Sequence, residues 1–266
     1  MKTRYDTFLG RLAMAAVPSR PWLHIQASDW WIRVLLAGGA RRNSLRGANM
    51  SDVDLTRAVL RDADLRAANM MSSDLSEANL RNANLSDANL INANLSYADL
   101  TGANLSHAHL AHADLRNADL HNTDLSHADL THTDLISADL RHANLSDADL
   151  RGANLRNANL ANANLANAHL NNAHLNNAHL TDAHLTGANL HDAYLAGASL
   201  VGANLRGANL DGANLVDVTW SEQTRWSDDV AAVMRGRSVP IGGGRYRVQG
   251  SGNSGAELSV SPVPVS

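Results

Sequence analysis

The stretch ADLHNTDLSHADLTHTDL, residues 118–135, places a Leu at every fifth position and an Asp immediately before each one. On an α-helix five residues advance about 500°, so successive Leu would rotate by roughly 140° and spread around the whole circumference. On a continuous strand an odd period would throw alternate Leu to opposite faces. The period makes sense only if the chain turns a corner once per repeat, always toward the same side, so that every Leu points inward.

Across the chain, every residue number divisible by five from Leu45 to Trp220 is Leu, except Met50, Met70 and Trp220. Two residues before the centres from Met50 onward the side chain is Ala, with Val53, Ser73, Thr123, Thr133 and Val218 as variants. Gly recurs two residues after a centre, as at Gly47, Gly102, Gly152 and Gly187, and Asn, Asp, His or Ser replace it at most other repeats, as turn positions allow. This pattern predicts an all-β solenoid in which each Leu rests on an equivalent one a coil away, burial contributing about 1.5–3 kcal/mol per Leu. Opposite walls about 10 Å apart favour a square section of four repeats, or about twenty residues, per coil. A triangular coil is the alternative.

The units LRGANL, LSDANL and LRNANL are tandem copies of A-(D/N)-L-x-x, and this signature resembles the pentapeptide-repeat family over about two-thirds of the chain. The resemblance implies a right-handed quadrilateral β-helix, and the handedness rests on it alone. The best-understood branch of that family resembles a DNA mimic that binds DNA gyrase or topoisomerase IV and confers quinolone resistance. Members of that branch often carry Phe at centre positions, and no centre here is Phe.

A solenoid exposes an apolar cross-section and unpaired edges at its ends, and both need covering. The organisation expected is an N-terminal helical cap over 1–45, a β-helix over 46–220, a C-terminal cap or dimerisation segment over 221–248, and a disordered tail over 249–266. Within the first segment Ser28 precedes a helical run, DWWIRVLLA, ended by Gly38 and Gly39. In the third, Ser227 is the expected cap of a helix over DDVAAVMRGR, GRYRV is a candidate strand, and Trp220 and Trp226 are placed to cover the last coil. The dimerisation reading would make a homodimer through this segment.

The net charge is −4, but residues 46–215 hold ten Arg against nineteen acidic residues. A surface so acidic argues against direct nucleic-acid binding. With no Cys there is no disulfide framework, thiolate nucleophile or Cys-ligated zinc site. The apolar run WWIRVLLAGGA is too short to span a bilayer and contains Arg33, and Asp6 and Arg11 interrupt the N-terminal apolar stretch, so the expected location is cytoplasmic, away from membranes.

Of the thirty-four positions preceding a centre between 46 and 215, fifteen are Asn and eleven Asp, so the position accepts either. Six consecutive Asp nevertheless occur at Asp114, Asp119, Asp124, Asp129, Asp134 and Asp139, with Asp149 two repeats later. Within 98–150 only Arg116 and Arg141 offset nine Asp. Two carboxylates about 5 Å apart repel by roughly 0.8 kcal/mol even in bulk water, a cost that Asn would avoid. This belt is the candidate partner-binding surface. Neutral exchange of Asp and Asn on a solvated surface is the plain alternative.

Thirteen His invite a metal reading. His169, His174, His179 and His184 fall in four successive repeats, so they leave four different walls and cannot converge. His107 with His127, and His112 with His132, are each twenty residues apart and would stack, giving at best a two-imidazole zinc or nickel site. No metal or cofactor is expected from the sequence. Histidine's ordinary titration range means that the belt loses negative charge below about pH 6.

Catalysis needs convergent groups in a water-excluding concavity, and a convex rod filled with Leu offers none. The expectation is therefore a non-enzymatic protein-binding rod. In its sharpest form it is a DNA-mimic ligand of a type II topoisomerase, modulating gyrase with protection against quinolones or toxins. The alternative is a structural scaffold with no topoisomerase target.

Overall fold

The computed structural model describes residues 45–250. The helix expected near the N-terminus and the tail beyond Gly250 lie outside the described residues.

From Asn49 to Ser199 each pre-centre residue forms a parallel bridge with the residue twenty further on, as in Asp114 with Asp134 and Asp119 with Asp139. A corner every five residues and a bridge every twenty give four corners per coil, so the triangular alternative is excluded. Each wall is a single bridge in length and no wall is long enough to be a strand.

The five backbone N–H groups of a repeat are all accounted for. In the repeat centred on Leu115, the Leu115 N–H donates to the Asp134 carbonyl at 2.7 Å and Asn117 N–H to the Ile136 carbonyl at 3.0 Å, both one coil on. Asp114 N–H donates to the Ala93 carbonyl, one coil back, at 2.9 Å, and Ala118 N–H closes the corner on the Leu115 carbonyl at 3.1 Å. The fifth, that of Arg116, donates to Asp114 Oδ1 at 3.0 Å. The four backbone bonds recur from coil to coil, and the fifth is made where an Asn or Asp before the centre supplies the acceptor, so few backbone groups of this non-helical, non-strand chain are left unsatisfied.

The corner is a four-residue turn with a left-handed third residue, the arrangement of a type II turn. Every such position from Gly47 to Asp217 has positive φ, eight of them Gly and twenty-seven not. Asn, Asp and His dominate the non-glycine set, as residues tolerant of this region should. Ala67 (φ 53°) and Tyr97 (φ 59°) sit there without that tolerance.

The centre Leu side chains and the Ala two residues before them form one continuous core. Where a hydroxyl replaces Ala it is buried and satisfied: Thr123 Oγ1 donates to the Leu100 carbonyl at 3.0 Å and Thr133 Oγ1 to the Leu110 carbonyl at 2.9 Å.

After Trp220 the repeat breaks. Asn204 pairs with Arg225, one residue beyond the regular spacing, because the Ser221–Thr224 turn inserts an extra residue. Strand β1 (Thr219–Ser221), helix α1 (Asp228–Gly236), strand β2 (Ser238–Gly242) and strand β3 (Arg245–Val248) follow, the strands forming an antiparallel sheet in the order β1-β3-β2. The candidate strand GRYRV thus belongs to a three-stranded sheet that the sequence reading did not foresee. Trp220, Trp226, Val230, Met234 and Val248 are buried over the last coil, with Trp220 stacked on Tyr246 at 4.7 Å and edge-on to Trp226 at 6.0 Å. Ser227 stands at the N-cap of α1 in extended conformation, but its side chain makes no capping hydrogen bond.

The free edge of this sheet is β2. Gln249 N–H donates to the Arg237 carbonyl at 2.8 Å, and Val239 pairs with Arg247, so these odd-numbered residues face β3. Pro240 then occupies an outward-facing position, where it costs no ladder bond and removes the donor another strand would use.

Candidate functional site

The pre-centre position has a backbone task that explains why it is Asn or Asp. Its Oδ1 accepts the N–H two residues on, a local Asx turn. Examples are Asp119 to His121 N–H at 3.1 Å, Asp124 to Ser126 N–H at 3.0 Å, and Asn144 to Ser146 N–H at 3.3 Å. Asn and Asp are equivalent in this bond, so the charge is free to vary. The sequence reading saw the interchange but missed its cause, although Asx-turn chemistry was there to supply it.

The acidic belt is uneven. Its ends are clamped by an Arg two residues after the Asp. Arg116 Nη2 to Asp114 Oδ2 is 2.6 Å, Arg141 Nη2 to Asp139 Oδ2 is 2.5 Å, and Arg151 Nη2 to Asp149 Oδ2 is 2.6 Å. Arg116 also approaches Asp134 at 3.9 Å. Asp119, Asp124 and Asp129 form no ion pair among the described residues, and Asp124 accepts from Asn144 Nδ2 at 3.0 Å.

Partial burial pushes the Asp114 carboxyl up, but hydrogen bonds from the Arg116 side chain and N–H, with the guanidinium charge, hold it below the ordinary carboxylate range. Asp149 follows the same balance with Arg151. For Asp139 the Arg141 side-chain bond is the largest influence and the result is again downward.

The seven belt residues do not converge. Asp114 stacks beside Asp134 on one wall and Asp129 beside Asp149 on another, while Asp124 neighbours Asn144 on a third. The longest carboxylate row is Asp99, Asp119 and Asp139 on the remaining wall, three coils in register. Asp99, which the belt as read from sequence leaves out, is bound by Thr101 Oγ1 at 2.7 Å and Arg81 Nη1 at 3.2 Å.

The histidines divide as their spacing predicts. His169, His174, His179 and His184 bridge to Asp149, Asn154, Asn159 and Asn164 on four different walls. His107 and His127 stack with ring centroids 4.9 Å apart and planes 4° from parallel, and His112 and His132 with centroids 5.2 Å apart. No group of three His, Asp or Glu that could hold a metal ion occurs among the described residues. His174 stacks on Tyr194 at 4.7 Å, and its Nδ1 lies 3.2 Å from Arg156 Nη2. Partial burial and then the Arg156 charge push His174 below the ordinary imidazole range. No helix among the described residues is long and apolar enough to cross a membrane.

A family described as pentapeptide repeats matches in overlapping segments from 44 to 219. Among solved structures, HetL, a pentapeptide repeat protein involved in heterocyst differentiation regulation from the cyanobacterium Nostoc sp. strain PCC 7120, is 36% identical, with 74% of this chain and 96% of that chain covered and a TM-score of 0.41. Rfr23 from the cyanobacterium Cyanothece 51142 is 35% identical over 43% of this chain and 64% of that one, with a TM-score of 0.31. QnrB1, a plasmid-mediated fluoroquinolone resistance protein, is 22% identical over 64% of this chain and 82% of that one, with a TM-score of 0.39. No match is found among curated proteins.

Proposed function

Because the chain belongs to the pentapeptide-repeat family, we propose that it is a non-enzymatic, cytoplasmic, protein-binding rod, a right-handed quadrilateral β-helix whose acidic belt is the binding surface. The observation that carries this reading is the row of Asp99, Asp119 and Asp139 on one wall. It sets carboxylates at the strand spacing of about 4.8 Å on a backbone that cannot bend away from a partner. Asn would serve the Asx turn equally well, so the fold does not require the charge.

A groove built for a phosphate backbone is the complementary partner, which makes the DNA-binding groove of a type II topoisomerase, DNA gyrase or topoisomerase IV, the sharpest target. On the wall of that row Asp119, free of ion pairs among the described residues, would make the first contact, with Asp124 and Asp129 extending the charge onto neighbouring walls. The Arg-clamped Asp114, Asp139 and Asp149 bound the surface. The organisation proposed is the β-helix over 46–220 with end caps over 1–45 and 221–248, the latter covering the last coil.

The test is inhibition of gyrase supercoiling by the parent chain beside a variant with Asp114, Asp119, Asp124, Asp129, Asp134 and Asp139 all changed to Asn. Each replacement keeps the Oδ1 acceptor, so the variant stays folded. Inhibition by the parent alone supports the belt. Equal behaviour of the two favours the second reading, a structural scaffold recognised through its end caps.

A further inference from the structure

Two histidine pairs lie on neighbouring corners of the same two coils. Their columns are set by the fold: His107 and His127 each hold the left-handed corner position, as do His112 and His132, with φ of 58°, 57°, 59° and 56°. All four side chains are exposed. The corner N–H bonds that fix the coil spacing, such as His107 to the Ser126 carbonyl at 3.0 Å and His112 to the Thr131 carbonyl at 3.0 Å, hold both members of each pair at that spacing.

We propose that each stacked pair, His107 with His127 and His112 with His132, binds one borderline divalent transition-metal ion such as Zn2+, Ni2+ or Cu2+ through two imidazole nitrogens. Imidazole is the preferred ligand of this metal class. The rigid ladder has already brought the two ligands together, so little ordering entropy opposes chelation.

The geometry asks for a modest movement. Zinc–nitrogen bonds of about 2.0–2.1 Å in a tetrahedral site place two ligand nitrogens roughly 3.3 Å apart. Nearly parallel rings with centroids 4.9 and 5.2 Å apart must therefore tilt toward one another. Each ring can pivot, because each stands on an exposed corner. The His132 ring leans over Gly152 of the following coil, where a Cβ would come within 2.6 Å of His132 Nδ1, so to chelate it must swing back from that glycine toward His112.

Charge favours a cation. Asp87 and Asp147 stand at the same corner position one coil before His107 and one coil after His127, and Asp129 lies on the wall between the two pairs. Asn167 Nδ2 holds Asp147 Oδ1 at 3.2 Å, so Asp147 helps through its field without reaching the metal. Two imidazoles leave the remaining coordination positions to water or to a donor from a bound protein. The pairs stand on their own geometry and do not depend on the topoisomerase reading.

The experiment is calorimetric titration of the full chain with ZnCl2 and NiCl2 near neutral pH, beside His127→Asn, His132→Asn and the double variant. Asn occupies this corner position at many other coils, so the variants keep the fold, and circular dichroism checks that they do. The expected result is two ions per chain, one lost with each single replacement and at least a tenfold loss of affinity in the double variant. His109→Asn and His179→Asn should leave the titration unchanged. In a parallel Cu2+ titration, electron paramagnetic resonance should show two coordinated nitrogens per ion in the parent. Parent and double variant with the same stoichiometry and affinity, or a spectrum with one nitrogen per ion, would overturn the assignment.

Discussion

Replacing Leu130 by Ala should be among the most damaging single changes in the rod. Leu130 is fully buried, and the Leu110 and Leu150 layers on either side are pinned by backbone bonds, among them Leu110 N–H to the Asp129 carbonyl and Leu130 N–H to the Asp149 carbonyl, both 2.7 Å. The change removes three carbon groups, worth about 2.4 kcal/mol at roughly 0.8 kcal/mol each. The layers above and below cannot collapse into the void without breaking those bonds, so a cavity term adds to this and the total should reach about 3–5 kcal/mol. Leu45, only partly buried at the first described coil, should cost about 1 kcal/mol by the same change, since much of its side chain remains hydrated. Equilibrium urea unfolding followed by circular dichroism measures both. Because solenoids unfold by nearest-neighbour rules, hydrogen exchange across 110–150 should show the loss concentrated in the adjoining coils. A Leu130→Ala cost below about 1 kcal/mol, against the expected total of about 3–5 kcal/mol, would refute the picture of rigid stacked layers.

Three further outcomes are expected. Ala67→Asn, at a corner with φ 53°, should stabilise by up to about 1 kcal/mol because Asn tolerates the left-handed region better, and a destabilised variant in thermal melts would count against the corner assignment. Thr123→Val keeps shape but leaves the Leu100 carbonyl without its hydroxyl donor, so urea titration should show a loss of about 0.5–1.5 kcal/mol; a stabilised variant would contradict the buried bond. The carboxyls of Asp99, Asp114, Asp139 and Asp149 are held below their ordinary range. Their contribution is therefore complete above the unfolded value of about 3.9 and is lost as pH falls below it. The urea midpoint of the parent should drop more steeply below about pH 4 than that of a triple Arg116→Gln, Arg141→Gln, Arg151→Gln variant, and equal slopes would show that the Arg clamps do not set Asp114, Asp139 and Asp149.

Much of the rod was legible because period five leaves the chain few options. The centre Leu, the Ala two before it and the corner two after it each do one backbone-dictated task, and repetition states it thirty-four times between 46 and 215. The C-terminal cap was less legible. Its sheet pairs residues far apart in sequence, Thr219 with Arg247 and Ser238 with Val248, and no local pattern announces such pairing. The belt was legible as a composition but not as an arrangement. Sequence spacing put Asp114 beside Asp134, yet the clamping of Asp114, Asp139 and Asp149 depends on side-chain conformations of Arg two residues away. The row completed by Asp99 lay outside the run of six because its neighbours on either side in sequence, Asn94 and Asn104, are uncharged.

The most direct test of the belt as a phosphate-backbone surrogate is displacement of a labelled DNA duplex from gyrase by the full chain, read as fluorescence anisotropy at low and at physiological salt. The account predicts that the parent displaces the duplex, that added salt weakens it steeply, and that the variant with six Asp changed to Asn fails although its circular dichroism is unchanged. Displacement by both proteins alike, or by neither, would contradict it.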